Sequence, residues 1–469
     1  MVRVNHGSRT WNQHEIAGDE RSTFHAARGP VVVLIGCAPQ EERDSMQETI
    51  GSRRGQLGLV LVGLAVFLCL GPVRRSGCGA ESDPGFAISI SEATWQKWGF
   101  QYPVTFVFRL SGIGDDADVH RRDSAGEPWT AVPEKTSADL FNGVECVRFD
   151  REEGRACVSV GFGATSTIHV SFTGVDAASF DSVARYYDDR KAAYTLSNDN
   201  WGRRDRSNPG APWRGMTDDA SDSYQASVHA CRKYGLPVSI AINSRSAGGE
   251  AMWVRMQEEL DRGDASWEPA VHTRTHPCNA KAYAVAGCQA EILGCRDDIL
   301  ERLDHIPYGQ HVFEFILPCG YEDAGVERTC RGVFLLLRDW NTGDNPSSAG
   351  YLPWNVEAAY YGLGAFQTKS YDAIMELREP KGRYYAADVA ALDDAFDQVY
   401  AQGGIFYAMW HPDRYRNSVV YDTRPGVDGV QGSTLMQHFA HLSGRRDVWY
   451  VANGWLYSYR YVAENAHVD

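Results

Sequence analysis

From residue 190 onward this sequence repeats one pattern. A short run of β-branched and aromatic residues is followed by a Gly, Asn or Asp turn and then by a stretch with apolar residues three and four positions apart. Runs 191–197, 237–242, 312–317, 333–338, 405–410 and 448–451 read as strands, and 269–271 as a shorter one. Between them, 252–262 puts Trp253, Met256 and Leu260 on one helical face, 220–234 is stopped by Gly235, and 434–442 and the residues around Leu392, Phe396 and Val399 are helical. About seven strand-helix units over residues 190 to 465 predict an α/β fold with a parallel barrel. Such a barrel places its chemistry on the loops after its strands.

The segment that arrives on one of those loops is Val271 to Cys278, VHTRTHPC. His272 and His276 are four apart, a distance at which two neutral imidazoles can reach one zinc or cobalt ion from a single turn of chain. Pro277 blocks a regular helix, so the pair is expected on a strand-to-helix loop. Elsewhere in the repeat, the first strand ends in Ser197-Asn198-Asp199-Asn200-Trp201, and the run 405–410 ends in Trp410-His411 after apolar residues.

Ahead of the repeat, residues 86–180 carry short β-rich runs at 103–108, 143–149, 156–162 and 166–172, each bounded by Gly or Asp turns, which predicts a small all-β sandwich over 81–185. Trp95, Trp98 and Trp129 are available there either as core or as a sugar-stacking face.

At 469 residues the chain is long for one domain and is expected to form two or three. Its formal net charge of -15 argues against nucleic acid or anionic lipid as the main partner and suits neutral or cationic ones. Residues 1–80 read as a leader: an uncharged apolar run, 57–73, lies between Arg53-Arg54 and Arg74-Arg75 and precedes small residues up to Ala80. That is the pattern of a signal peptide, with a membrane anchor as the alternative and Met46 as a possible start. Either reading puts the rest of the protein outside the cytoplasm, secreted or in the cell envelope, with membrane contact only through this segment if it stays uncleaved. An even eight cysteines follow Ala80, which permits disulfides in an exported chain; Cys146 and Cys157 flank the turn 150–154 as facing hairpin positions could.

His272-Thr-Arg-Thr-His276 resembles the second motif of the polysaccharide deacetylase family, the NodB-homology domain or family 4 carbohydrate esterases. The resemblance covers roughly residues 186 to 465 and implies a distorted (β/α)7 barrel of the NodB type over 186–469, a divalent metal, zinc or cobalt, and an acetylated glycan as substrate. It implies a general base at Asp199 and a metal ligand at Asn200, beside His272 and His276. A register shift of one would instead put Asn198 at the base position and make Asp199 the ligand; a neutral Asn can coordinate through its carbonyl but cannot accept a proton, which favours the first register. His411 falls at the family's general acid. The family's Arg-x-Pro-aromatic motif has its counterpart in Ile316-Leu317-Pro318-Cys319, with Ile316 in place of the arginine. That arginine normally pairs with the base, so Asp199 needs another cation, and Arg338 in Leu337-Arg338-Asp339-Trp340 is a candidate. Pro318, Trp340 and Trp410 are the expected substrate contacts.

Two functions fit these residues. One is a metal-dependent hydrolase that removes acetyl groups from N-acetylated polysaccharide of the chitin, peptidoglycan or exopolysaccharide type. The other is a non-catalytic glycan-binding protein on a degenerate deacetylase scaffold, motivated by Asn200 and Ile316.

Overall fold

Strand β9 (Ala192–Trp201) is the axis of the parallel part of the molecule, and its sequence shows why. Side chains alternate across a strand, so Tyr194 and Leu196, both 0% exposed, enter the main apolar cluster while Thr195, Ser197 and Asp199 turn to the opposite face. The same division runs through β10 (Val238–Ile242), β11 (Trp267–Val271), β12 (Glu314–Ile316) and β13 (Leu336–Arg338). Their Val238, Ile240, Ile242, Trp267, Val271, Phe315 and Leu337 join that cluster. Ser239, Ala241, Glu268, Ala270, Glu314, Ile316 and Arg338 alternate with them.

The computed structural model describes residues 85–124, 126–135, 143–201, 228, 230–245, 249–264, 266–321, 323–338, 369–370, 386–411 and 434–469. The expected leader, residues 1–80, lies outside them, as does Trp340. Of Asn200 and Trp410 only the backbone is described.

With β14 (Lys369–Ser370), β15 (Ile405–Trp410) and β16 (Val448–Tyr450), the parallel sheet has eight strands in the order β13-β12-β11-β10-β9-β15-β14, and β16 also pairs with β9. Every ladder in it is parallel. The result is a mixed α/β fold with a curled parallel half-barrel sheet, cyclic in order and open between β13 and β14 among the described residues. The sequence pattern had suggested about seven strands. The extra one, Lys369–Ser370, is two residues long and polar, too short to carry a periodic signal.

Helices α2 (Glu250–Leu260), α4 (Cys288–Arg302), α6 (Ala386–Ala401) and α7 (Thr434–Leu442) supply the other side of the main cluster, among them Met252, Trp253, Met256 and Leu260 of α2. In chain order α1 is Glu92–Trp98, α3 is Ala280–Ala286, α5 is Ala324–Cys330 and α8 is Asn453–Asn465.

The β-rich segment forms two antiparallel sheets. One has the order β17-β1-β7-β3-β4, built from β1 (Gly85–Ser89), β3 (Asp118–Arg122), β4 (Thr130–Ala131), β7 (Thr167–Thr173) and the chain's last strand, β17 (His467–Val468). The other has the order β5-β6-β2-β8, from β2 (Val104–Ser111), β5 (Cys146–Asp150), β6 (Arg155–Val160) and β8 (Ala177–Val183). Phe86 and Phe172 of the first touch Phe108 of the second, at ring centroid distances of 4.8 and 5.0 Å. A single apolar cluster then runs from these sheets through Phe100, Tyr102 and Trp98 to Phe313, Trp449 and Trp455 beside the starts of the parallel strands. Burial of this area is the main stabilising term.

Two details of that layer bear on the sequence reading, one settling an alternative and one correcting it. Trp98 is 6% exposed and packs on Phe313, so it belongs to the core and not to a sugar-stacking face. Cys146 and Cys157 do not face each other: Cys146 is opposite Ser159 and Cys157 opposite Arg148, two register positions apart, and neither is in a disulfide.

Candidate functional site

The polar residues on the inner side of the sheet sort into two levels. At the start of the strands lies a buried network: Glu268 Oε2 accepts from Ser239 Oγ and from the Gly454 backbone N–H, both at 2.8 Å. Glu314 Oε1 accepts from Asn453 Nδ2 at 2.8 Å, and Asn453 Oδ1 accepts from Thr195 Oγ1. The amide groups at the head of α8 thus point at carboxyls, where the helix dipole favours them. Gly454 is required by this approach, because a Cβ there would come within 2.0 Å of Glu268 Oε1. Burial first, then the neighbouring Glu314 carboxyl, push Glu268 well above the usual carboxyl range; burial likewise raises Glu314, with Arg338 opposing.

The second level is at the C-terminal ends of the strands, and it gathers the residues singled out in the sequence. Asp199 lies near the end of β9, His272 directly follows β11, Arg338 ends β13 and His411 directly follows β15. Arg338 Nη2 donates to Asp199 Oδ1 in an ion pair whose side chains are 0% and 4% exposed. His411 Nε2 is 3.8 Å from Asp199 Oδ2. Burial alone would raise the Asp199 pKa, but Arg338, then His411 and His272, outweigh it and hold the carboxyl at about 2. The cation expected to replace the missing arginine is therefore Arg338. Ile316 and Arg338 are direct partners across β12 and β13, so the guanidinium stands one strand over from Ile316 at the same level of the sheet.

His272 is 1% exposed, and its Nδ1–H donates to the Ile316 carbonyl at 2.8 Å. That contact fixes the tautomer and leaves the Nε2 lone pair, which is buried and has no hydrogen-bond partner among the described residues. Burial holds the ring neutral, with its pKa pulled down to about 4 against the opposing pull of Asp199. A neutral imidazole with a bare, buried Nε2 has the donor chemistry of a metal ligand. The His276 ring lies 4.8 Å from it, centroid to centroid.

The loop that carries both histidines is held from the side by α4. Glu291 accepts from Thr275 N at 2.8 Å and Thr275 Oγ1 at 2.9 Å, and Arg274 Nε donates to Asp298 at 2.8 Å. Thr273 and His276 have φ of 67° and 65°, in the left-handed region that non-glycine residues occupy at some cost.

Two observations were not anticipated from the sequence. A disulfide joins Cys278, two residues after His276, to Cys319 after Pro318. Among the described residues, the set of three or more His, Cys, Asp or Glu ligand atoms lying within 4.8 Å of one another is His276, Cys278 and Cys319, and not His272, His276 and Asp199. Pro318 is buried at the head of a single turn of 3-10 helix, and the side chains of Asn200, Trp340 and Trp410 lie outside what is described. Glu268 and Glu314 carried a signal that sequence reading passed over: each is a lone acid inside an apolar strand, which is costly unless the interior is polar.

No family model and no curated sequence matches this chain. Solved structures similar to it include a Mycobacterium smegmatis protein assigned as a polysaccharide deacetylase, at 14% identity and a TM-score of 0.34, covering 58% of this chain and 91% of that one. A family 4 carbohydrate esterase from Streptomyces lividans, solved with acetate, is similar at 17% identity and a TM-score of 0.26, covering 48% and 96%. A family 4 pseudoenzyme from Bacillus anthracis is similar at 11% identity and a TM-score of 0.25, covering 50% and 69%. At scores this low they stand as resemblances only.

Proposed function

We propose that this chain is a divergent polysaccharide deacetylase, a hydrolase that cleaves the acetamide of an N-acetylated glycan in a metal-dependent reaction. The observation that carries the reading is the grouping, at one end of one sheet, of an ionised Asp199, the Arg338 that holds it ionised, the His411 imidazole 3.8 Å away and the bare Nε2 of His272. On this reading the half-barrel is a NodB-type (β/α)7 barrel spanning 186–469. The two antiparallel sheets are a sandwich over 81–185, and residues 1–80 direct export to the cell envelope or beyond.

The chemistry follows from the side chains. His272 and His276, with Asn200 or Asp199, would hold zinc or cobalt, which when bound supplies a Lewis acid for the acetyl carbonyl and for a water of lowered pKa. Asp199, ionised at every pH above about 2, accepts the proton of the attacking water. Because so acidic a carboxyl is a weak base, its contribution is position and charge more than intrinsic basicity. His411, 3.8 Å from Asp199, would in its protonated form donate to the leaving amine. Trp340 and Trp410 are the residues assigned to the sugar rings, whereas Pro318, expected beside them, is buried and would shape the loop instead.

A glycan-binding protein without turnover is the second reading. It is favoured by one observation, that the ligand set closing most tightly includes the Cys278–Cys319 pair and leaves out His272 and Asp199. Acetate release from an N-acetylglucosamine oligomer separates the two. The zinc-loaded chain should release acetate, lose this on chelation and regain it on adding metal. Glycan binding with no acetate released by the loaded chain would establish the second reading instead.

A further inference from the structure

We propose that His276, Cys278 and Cys319 form a redox-controlled metal site: oxidised, the two sulfurs close a disulfide, and reduced, they hold a thiophilic divalent ion together with the His276 imidazole. The inference rests on these three side chains and not on the deacetylase reading, although His276 is common to both.

One ligand atom from each residue lies within 4.8 Å of the other two, and Cys278 Sγ is 3.3 Å from His276 Nδ1. A nitrogen and two sulfurs are a zinc-type set, and three protein ligands leave the fourth tetrahedral position to solvent. The two cysteines lie 41 residues apart in sequence, on the loops that follow neighbouring strands β11 and β12. Each loop is anchored without the disulfide. Glu291 holds Thr275, Asn279 caps α3 by accepting from Ala282 N at 2.9 Å, and beyond Cys319 the Tyr321 hydroxyl donates to Asp323 at 2.7 Å. Breaking the bond therefore leaves the two sulfurs close to each other and to His276. Cys319 is exposed, so a reductant can reach it, whereas Cys146, Cys157, Cys231, Cys295 and Cys330 are buried and Cys288 is half-buried.

The reaction balances with a dithiol as the reductant. The dithiol gives two electrons and two protons, the S–S bond breaks, two cysteine S–H groups form, and the dithiol closes its own disulfide. Binding a divalent ion then releases the two thiol protons to solvent as both cysteines become thiolates. The His276 ring is also 4.8 Å from that of His272, centroid to centroid, so the two histidines are neighbours at this site.

The full chain would be reduced with dithiothreitol, freed of it by gel filtration under argon, and titrated with cobalt(II), following the thiolate-to-cobalt charge-transfer band in the near ultraviolet. The oxidised chain should show no band. The reduced chain should show one that saturates at a single equivalent, is absent in Cys319→Ser, survives Cys288→Ser, and requires at least about tenfold more cobalt in His276→Ala. His272→Ala should keep the band while losing any acetate release, so the failure of this site and the failure of the deacetylase reading are told apart. A reduced wild-type chain without the band would overturn the proposal, as would a band that persists in a folded Cys319→Ser variant.

Discussion

Replacing Arg338 by methionine removes the guanidinium that pairs with Asp199 and keeps much of its volume. In the intact chain the Asp199 carboxyl sits at about 2 against an ordinary 3.8, although burial pulls the other way. At about 1.4 kcal/mol per pKa unit, the folded state favours the carboxylate by roughly 2–3 kcal/mol. With side chains 0% and 4% exposed, the pair needs no discount for solvent screening. The sign is that of a depressed carboxyl: the contribution is complete above the unfolded value near 3.8 and is lost as pH falls towards 2. In Arg338→Met the burial remains and the main cation is gone, so the Asp199 pKa should rise well above 2. The variant should then be about 3–5 kcal/mol less stable at pH 7, the usual cost of orphaning a buried charge. Near pH 3 the deficit should shrink, because there the carboxyl can take a proton. Denaturant titrations at both pH values, in chelator, measure this. Arg338→Met/Asp199→Asn should recover much of the loss, giving a coupling of a few kcal/mol. An equal deficit at both pH values, or an additive double variant, would refute the assignment of Arg338 as the partner of Asp199.

Three further outcomes follow from the same geometry. His272 is pulled down to about 4 in the folded chain from 6.5 unfolded, so the unfolded state binds more protons between these values; its own contribution to metal-free stability, read as wild type minus His272→Gln, should fall by roughly 3 kcal/mol as pH drops from 6.5 to 4, whereas Glu314 acts in the opposite sense over much of that range. Glu314 is raised, so its contribution is complete below the ordinary 4.5 and is lost as pH rises; Glu314→Gln, which keeps the acceptor for Asn453, should be at least as stable as wild type at pH 7 and should flatten that slope in urea titrations. Removing the disulfide by Cys278→Ser/Cys319→Ser opens a 41-residue separation and should cost about 3–4 kcal/mol on the chain-entropy account, read by the same titration.

What the sequence disclosed about this molecule follows from which constraints are local. The alternation of apolar runs and helical stretches is a local pattern, and it yields the parallel half-barrel sheet. Asp199 and His411 stand near or just past the ends of apolar strands, and Arg338 is a cation at the end of another apolar run. The contacts between these groups then follow from the sheet, since parallel neighbours in register present their alternate residues at the same height. What stayed hidden is long-range. Nothing in the spacing of eight cysteines marks Cys278 and Cys319 as partners, because their approach depends on β11 and β12 lying side by side. β17, two residues at the end of the chain, pairs with β1 and shows no pattern of its own. Glu268 and Glu314 were visible as acids in apolar strands, but their meaning depends on the head of α8 arriving beneath them.

On the proposed reading, His272 and the Asp199 side of the sheet share one cation. Anomalous scattering from crystals of the oxidised chain grown with zinc tests it most directly. The account predicts a peak within bonding distance of His272 Nε2 and His276, completed by an oxygen from Asp199 or Asn200. A fully oxidised chain with no peak at His272 Nε2, or with zinc bound only elsewhere, would contradict it.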